Sequence, residues 1–303
     1  MTKIAIVILN YNGEHFLRQL LPSVVSNSPE AEVIVADNAS TDGSIAFLKQ
    51  EMPDIRIIEM DKNYGFAEGY NQALRHVEAE YYVLLNSDVE VTPHWLVPLV
   101  DYMERHPQVA ACQPKIRSFH HREQFEYAGA AGGFIDALGY PFCRGRIFGT
   151  LENDESQYDT IEEVFWATGA CLMIRSHLYH QLGGLDSGFF AHMEEIDLCW
   201  RVKARGYKIV CIPQSFVFHV GGGTLSAESP HKTYLNFRNN LLMIYKNRVH
   251  HCHGVIACRY LLDGVAALQM LLQGKPKNVK AVWQAHRDFR KMKPSYTAKR
   301  KEN

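Results

Sequence analysis

The 303-residue sequence has no C-x-x-C pair, and its seven cysteines are an odd, scattered set. A disulfide framework needs paired and regularly spaced cysteines, so the reading is free thiols in a reducing cytoplasm. No stretch reaches the roughly 18–20 uninterrupted apolar residues of a spanning helix. The nearest, 254–272, is broken by Arg259, Asp263 and Gln269. The opening M-T-K-I-A-I-V-I-L-N is too short in apolar residues for a secretory signal and reads as a buried strand. Three fingerprints are also missing. The first turn is N-Y-N-G-E and not G-x-G-x-x-G, there is no G-x-x-x-x-G-K-[ST], and there is no G-x-S-x-G. Those absences argue against a dinucleotide enzyme, a P-loop NTPase and an α/β-hydrolase. Gly221, Gly222 and Gly223 follow a strand without completing the dinucleotide fingerprint. The cluster of His250, His251, Cys252, His253 and Cys258 has the spacing of no known zinc module.

What is present is ordinary in bulk and uneven in detail. Hydrophobic residues make up 47% and charged residues 21%, which excludes a disordered or collagen-like chain. The net charge of −1 hides a division. Residues 240–303 carry 13 Lys+Arg against 3 Asp+Glu, a net of +10, while residues 1–239 carry 19 against 30, a net of −11. An acidic body therefore bears a basic tail.

Strand and helix patterns alternate over the first 90 residues. Lys3–Leu9, Glu32–Ala36, Ile55–Glu59 and Tyr81–Leu85 read as strands. Glu14–Val25, a helix capped by Ser40 or Thr41 and ending near Met52, and Ala67–Val77 read as helices. That rhythm implies βαβ units and a mostly parallel, doubly wound sheet. A glycine-rich stretch follows from about residue 110. Then come a helix at Glu194–Arg205, two strands at Lys208–Ile212 and Ser215–His219, and helices at Tyr234–Asn247, Val255–Leu272 and Val279–Met292. Lys293–Asn303 reads as frayed.

In open α/β sheets, ligands sit beyond the carboxyl ends of the strands. Asn10-Tyr11-Asn12, Asp37-Asn38 and Asn86-Ser87-Asp88 all fall there. Asp88 ends a buried strand, where a bare carboxylate is costly. It either caps a turn or holds a hard divalent cation that bridges phosphates. Glu194, Glu195 and Asp197 crowd a helix start. They either complement the helix dipole or include a general base whose pKa is raised by burial and like charge. His219 ends a strand, and is either a structural histidine or a ligand of metal or phosphate.

Taken together these residues resemble the inverting family 2 glycosyltransferases, in the non-processive, rhamnosyltransferase-like branch. The resemblance spans roughly residues 3–240. It rests on V-I-L-N-Y-N-G, A-D-N-A-S-T-D-G-S, N-Y-G-F-A-E-G-Y-N at 63–71, L-L-N-S-D-V at 84–89, T-G-A-C-L-M-I-R at 168–175, G-G-L-D-S-G-F-F at 183–190, E-E-I-D-L-C-W-R at 194–201 and H-V-G-G-G-T at 219–224. No one of these is specific, but eight in order are.

The resemblance implies an α/β fold of GT-A type: a Rossmann-like, mostly parallel sheet flanked by helices, with a C-terminal helical extension. Residues 1–235 would form the nucleotide-sugar-binding catalytic domain, and 236–303 the basic extension. Asp37 matches the acid that contacts the nucleotide base. Asn10 and Asn12 belong to the first loop of that pocket, and Asn63, Gly65 and Asn71 to the segment beside base and ribose. Asn86 and Asp88 stand at the D-x-D position, with Asn86 near the ribose and Asp88 on a Mg²⁺ or Mn²⁺ ion that His219 completes. Glu195, with Glu194 beside it, stands where the family keeps its base. Trp166 and Gly169 match the acceptor side, Trp166 offering a flat face to a sugar. The reaction implied is inverting transfer of one sugar from a UDP-, dTDP- or GDP-sugar to a glycan or lipid-linked acceptor, in polysaccharide or cell-envelope synthesis. N-F-R-N-N stands where the processive branch has Q-x-x-R-W. The competing readings are a non-catalytic partner of a glycan-assembly complex and a nucleotidyltransferase, although the latter needs a basic, glycine-rich first loop. For the tail, an anionic membrane surface is the expected partner and nucleic acid is not. That would make the protein cytoplasmic and peripheral on the inner face of the membrane. A solvated tail or a homodimer helix is the other reading of this segment.

Overall fold

A computed structural model describes residues 2–221 and 229–302. Gly222 and Gly223, grouped with His219 in the sequence, lie outside them. The first part alternates: β1 (Thr2–Asn10), α1 (Glu14–Ser26), β2 (Glu32–Asp37), α2 (Ser44–Glu51), β3 (Arg56–Glu59), α3 (Gly65–Leu74) and β4 (Ala79–Asn86). Next come β5 (Val89–Val91), α4 (Leu96–Arg105) and β6 (Val109–Ser118). The glycine-rich stretch forms short pairings, β7 (Gly133–Ile135) with β8 (Pro141–Cys143) and β9 (Arg146–Ile147) with β10 (Thr150–Leu151). After them lie β11 (Glu162–Glu163), β12 (Cys171–Arg175), α5 (Ser176–Gln181), α6 (Glu194–Ala204) and β13 (Lys208–His219). The chain closes with α7 (Pro230–Asn247), α8 (Cys252–Leu272) and α9 (Pro276–Glu302).

Among the described residues, nine strands form one sheet in the order β11-β13-β6-β12-β4-β1-β2-β3, with β5 also on β13. Strands β1 to β4, β6 and β13 run one way. The short β5, β11 and β12 run against them, so the sheet is mixed but mostly parallel. Both faces are covered, which explains the unbroken apolar run in β1. Its Ala5 and Val7 enter one core with Tyr70 of α3, Ile196 of α6 and Leu241 of α7. Ile4, Ile6 and Ile8 enter the other with Leu17 of α1, Phe47 of α2 and Leu96 of α4. A fully buried aliphatic side chain contributes about 1.5–3 kcal/mol, against about 0–1 for an exposed ion pair, so packing sets this sheet.

Four local readings change. Helix α2 starts at Ser44 because Ser40 and Thr41 bond to the first loop: the Ser40 hydroxyl accepts from Asn12 N at 2.9 Å and Thr41 N donates to Asn12 Oδ1 at 2.7 Å. The two strands at 208–219 are one strand with a register shift between Ile212 and Phe216. The sequence reading had no element at β5, α4 or β6. Finally, the end of the chain is helical and docked. Tyr296 is buried and stacks on Phe189, and the Arg300 guanidinium donates to the carbonyl of Tyr245.

Several side chains bond the C-terminal helices into the body, and one buried cation among them bridges two carboxylates. Lys246 Nζ, on the last turn of α7, donates to Asp186 and to Asp197 at 2.8 Å each. Asp197 lies in the first turn of α6 and also accepts from Arg201 at 2.9 Å and Asn247 at 2.7 Å. All three charged groups of this bridge are buried. Burial works against the Asp186 carboxylate, but Lys246 and Lys299 outweigh it and hold its pKa down at about 2. Removing one partner of a buried ion pair leaves an uncompensated charge. Lys246→Ala is therefore expected to cost about 3–5 kcal/mol in chemical denaturation, and a loss under 1 kcal/mol would show that the bridge does not hold the helices.

Candidate functional site

The ends of β1, β2 and β4 meet because the register pairs Asn10 with Asp37 and Leu9 with Asn86. Asn10 is fully buried and donates to Asp37 Oδ2 at 3.0 Å, while Asp37 Oδ1 accepts from Ser40 N at 2.8 Å. Asn12 is left-handed at φ +51° and holds Thr41. Loop one thus grips loop two directly. Asn38 then grips the next segment: its amide donates to Asn63 Oδ1 at 3.1 Å and Gly65 O at 2.9 Å, and its oxygen accepts from Tyr64 N. Asn63 also accepts from Gly65 N at 2.8 Å. Gly65 has φ +75°, and a Cβ there would meet the ring of Phe190, so a side chain is excluded twice. Asn38 belonged to a polar group noted in the sequence, but its bracing role had no sequence signal.

Two of the residues implied by the resemblance are bonded into the fold. Asn71 accepts from Tyr179 OH at 2.7 Å and Leu185 N at 3.0 Å and donates to Leu185 O at 2.7 Å. It is a strut between α3 and the turn before α6, with no polar atom left for a ribose. Trp166 is buried, donates to Phe134 O at 2.8 Å, and lies so close under Gly133 that a Cβ there would sit 2.0 Å from its ring. It braces the β7–β8 hairpin and presents no face to a sugar. Gly169 is placed differently: a Cβ there would touch Phe66 at 3.5 Å and Glu195 Cβ at 3.8 Å, so it borders the acid pair.

Asp88 and His219 meet across the β5–β13 pairing. His219 Nε2 lies 3.1 Å from Asp88 Oδ1 and 3.5 Å from Asn86 Nδ2, and Nδ1 lies 3.6 Å from Glu126 Oε1. Burial disfavours the charged ring, but Asp88 and Glu126 outweigh it and raise its pKa to about 10. A cation bound there would displace that proton and take its place beside the carboxylates. Asp88 is likewise opposed by burial and held below the ordinary carboxylate value by His219. Glu126 was not foreseen, and nothing near it in sequence points to this position. A carboxylate oxygen and an imidazole nitrogen about 3 Å apart would both face one hard divalent cation. Oxygen with nitrogen fits Mn²⁺ or Mg²⁺, and no third acid or histidine among the described residues completes a closed cage. The remaining positions would fall to ligand and water.

The acid pair lies beside a turn that Asn86 also meets. Asn86 N donates to Ala170 O at 3.0 Å, and a Cβ on the adjacent Gly169 would meet Glu195 Cβ at 3.8 Å, so the turn at 168–170 borders both Asn86 and Glu195. Glu194 and Glu195 each keep Oε2 buried without a hydrogen-bond partner. Burial raises the pKa of Glu195 to about 7, and burial with the Glu195 charge raises Glu194 well above the carboxylate range. Such a pair titrates as a unit, both pKa values raised by burial. The loop before it is strained: Phe190, His192 and Met193 have φ of +66°, +70° and +74°. Asn239 of α7 holds it, with Nδ2 2.9 Å from Phe189 O and 2.8 Å from Ala191 O and from His192 O. Arg238 adds Gly188 O at 3.1 Å and Phe189 O at 3.0 Å. A cavity of about 430 Å³ opens near Asn71, Asp186, Arg201 and Lys246, but Asp88, His219 and Glu195 do not border it.

The sequence matches Glycosyl transferase family 2 over residues 5–180. It is 27% identical over 230 residues to the N-acetylglucosaminyl-diphospho-decaprenol L-rhamnosyltransferase of Mycobacterium tuberculosis, covering 71% of this chain and 75% of that one. The fold is similar to that of GalNAc-T7 with UDP, GalNAc and Mn²⁺, at TM-score 0.61 and 16% identity over 81% of this chain. It spans 48% of that protein, about half its length. S. aureus TarS 1-349 in complex with UDP-GlcNAc gives TM-score 0.59 and 16% identity, over 93% of this chain and 80% of that one. If Asp88 and His219 form the cation site, Mn²⁺ titrated with a nucleoside diphosphate and followed by paramagnetic resonance should bind to the wild type. Asp88→Asn and His219→Ala should each weaken it roughly tenfold to hundredfold, and unaltered affinity in both would remove the assignment.

Proposed function

The chain belongs to glycosyl transferase family 2, and from that premise we propose that it moves one sugar from a nucleoside-diphosphate sugar to an acceptor hydroxyl, with inversion and with a divalent cation. It is a hexosyl- or deoxyhexosyl-transferase with the GT-A architecture. The observation that carries the proposal is the turn at 168–170, which borders both Asn86 and Glu195. A reacting centre there would have a place for diphosphate and a base within one site.

Asp37, Asn38 and Asn63 shape the wall for base and ribose, with Asn10 and Asn12 fixing the loops. Asp88 and His219 would hold the cation, which when bound supplies positive charge against the leaving diphosphate. Glu195 takes the proton of the acceptor hydroxyl, and that oxygen attacks the anomeric carbon from the face opposite the departing phosphate. One displacement inverts the centre without a covalent sugar–enzyme intermediate. The donor would be a UDP-, dTDP- or GDP-sugar and the acceptor a glycan or lipid-linked glycan of the cell envelope. The M. tuberculosis relative, named for an N-acetylglucosaminyl-diphospho-decaprenol and L-rhamnose, supports that class. A lipid-linked acceptor waits at a membrane, and the basic C-terminal helices would meet its anionic surface.

The test is product analysis over a panel of these donors. Release of nucleoside diphosphate is expected, with loss of turnover in EDTA; release of pyrophosphate, or full activity in the metal-free protein, would refute the proposal. The base has its own signature. Because the pKa of Glu195 is raised to about 7, its reactive, deprotonated form accumulates as pH rises through 7. Thus kcat/KM should climb about tenfold per pH unit below 7 and level above it. Glu195→Gln should lose roughly 10²–10⁴-fold and the acidic limb together, while retaining nucleotide binding.

A further inference from the structure

The outward face of α8 is apolar and uncharged, and among the described residues no other element covers it. Leu261, Val265, Leu268 and Leu272 recur four, three and four residues apart and are 74%, 64%, 57% and 82% exposed. Leu262 and Leu271 flank them. The helix has two charged residues, Arg259 and Asp263, and both are buried on the opposite side. Arg259 donates to Asn240 Oδ1 and to Leu138 O, and Asp263 accepts from His286 of α9 at 2.8 Å. An exposed apolar patch this continuous marks a surface that meets something.

We propose that this face docks on an anionic lipid bilayer, with α8 lying flat in the interface. The inference rests on the lipid-linked acceptor proposed above and names where the enzyme would meet it. Three observations choose this occupant. First, α8 is long and apolar enough to cross a bilayer by length and composition. Crossing, however, would pull Arg259 and Asp263 from their partners into hydrocarbon, at several kcal/mol each. An interfacial helix keeps them inside the protein. Second, the cations stand at the rim of the patch. Lys277 and Lys280 are exposed on the first turns of α9, just past Leu271 and Leu272. Basic residues beside an apolar helical face match anionic headgroups. Third, Trp283, 59% exposed, lies one turn beyond Lys280 with the Arg287 guanidinium 5.4 Å from its ring. Tryptophan favours the depth between headgroups and chains. A second copy of the chain fits less well, since a paired-helix seam is flanked by charges that set partner and register. The exposed residues beside this stripe, Gly254, Ala257, Gly264 and Gln269, have none.

The test uses the full chain in flotation with vesicles of phosphatidylcholine alone or mixed with phosphatidylglycerol. Binding is expected to the mixed vesicles and to fall as salt rises. The triple variant Val265→Glu, Leu268→Glu, Leu272→Glu changes exposed positions only and should lower partitioning at least tenfold. Lys277→Glu with Lys280→Glu should lower it about 25-fold on mixed vesicles, near fivefold per lysine. The thermal shift with nucleoside diphosphate and Mn²⁺ reports that each variant is folded. A wild type that shows this shift but does not float, or floats as well with both variants, overturns the docking surface and leaves the transfer reading intact. A dimer that the triple variant dissociates, without vesicle binding, assigns the face to a second copy and also overturns it. Flotation without any nucleotide shift supports the surface and overturns the transfer reading.

Discussion

The buried ammonium of Lys246 is the constraint on which the catalytic side of this molecule depends. It joins α7 to two buried carboxylates, Asp186 before α6, which Lys299 also meets, and Asp197 within its first turn, which Arg201 also meets. Taking an ion out of water costs several kcal/mol, and only close, complete pairing offsets that. None of the three can therefore shift alone. Because Glu194 and Glu195 occupy the same first turn as Asp197, fixing Asp197 fixes them. The segment after β13 is thus part of the site's construction, although no residue of it is proposed to touch the reacting atoms.

The same logic explains Asn239. Left-handed backbone costs a non-glycine residue roughly 1–2 kcal/mol, and the loop from Phe190 to Met193 contains three such residues. They persist because one buried amide bonds three of the carbonyls that the odd geometry turns inward. The strain delivers the acid pair to a position where burial dominates. At a helix start the dipole favours the ionised carboxylate by about 0.3–1 kcal/mol. The pKa of Glu195 is nevertheless raised, to about 7, so burial outweighs the dipole.

How much of this was legible in the sequence follows from range. The strand ends were readable because period and chain breaks are local, and Asn10, Asp37 and Asp88 fall where those patterns place them. Helix α4 was equally local, with Leu96, Leu99, Val100 and Met103 on one face, and was missed only because nothing chemical drew attention to it. The eight ordered motifs led to the family. Contacts between distant segments were not readable. Trp166 was assigned to the acceptor side, but a glycine 33 residues earlier covers its ring. Asn71 sits in a family motif, yet its partners at 179 and 185 consume its amide. The lysine-rich end read as frayed because composition does not show that Tyr296 packs on Phe189.

The division of charge has two causes, not one. Some of the tail's cations point inward. Lys246, Arg259, Lys299 and Arg300 bond to carboxylates or carbonyls of the folded chain, so part of the positive excess is structural and balances buried acids of the body. Lys277 and Lys280 are different: they lie outside, at the edge of an apolar stripe whose own helix keeps both its charges on the buried side. Helices α7 to α9 therefore turn one set of charges inward, partly onto Asp186 and Asp197, and leave the other at the edge of the α8 stripe. Holding both with the same rigid elements would fix the mouth of the site relative to the surface that covers α8. If that surface is a bilayer, as proposed, an acceptor anchored in it would meet Glu195 without leaving the membrane, and the basic end would serve to hold the enzyme there.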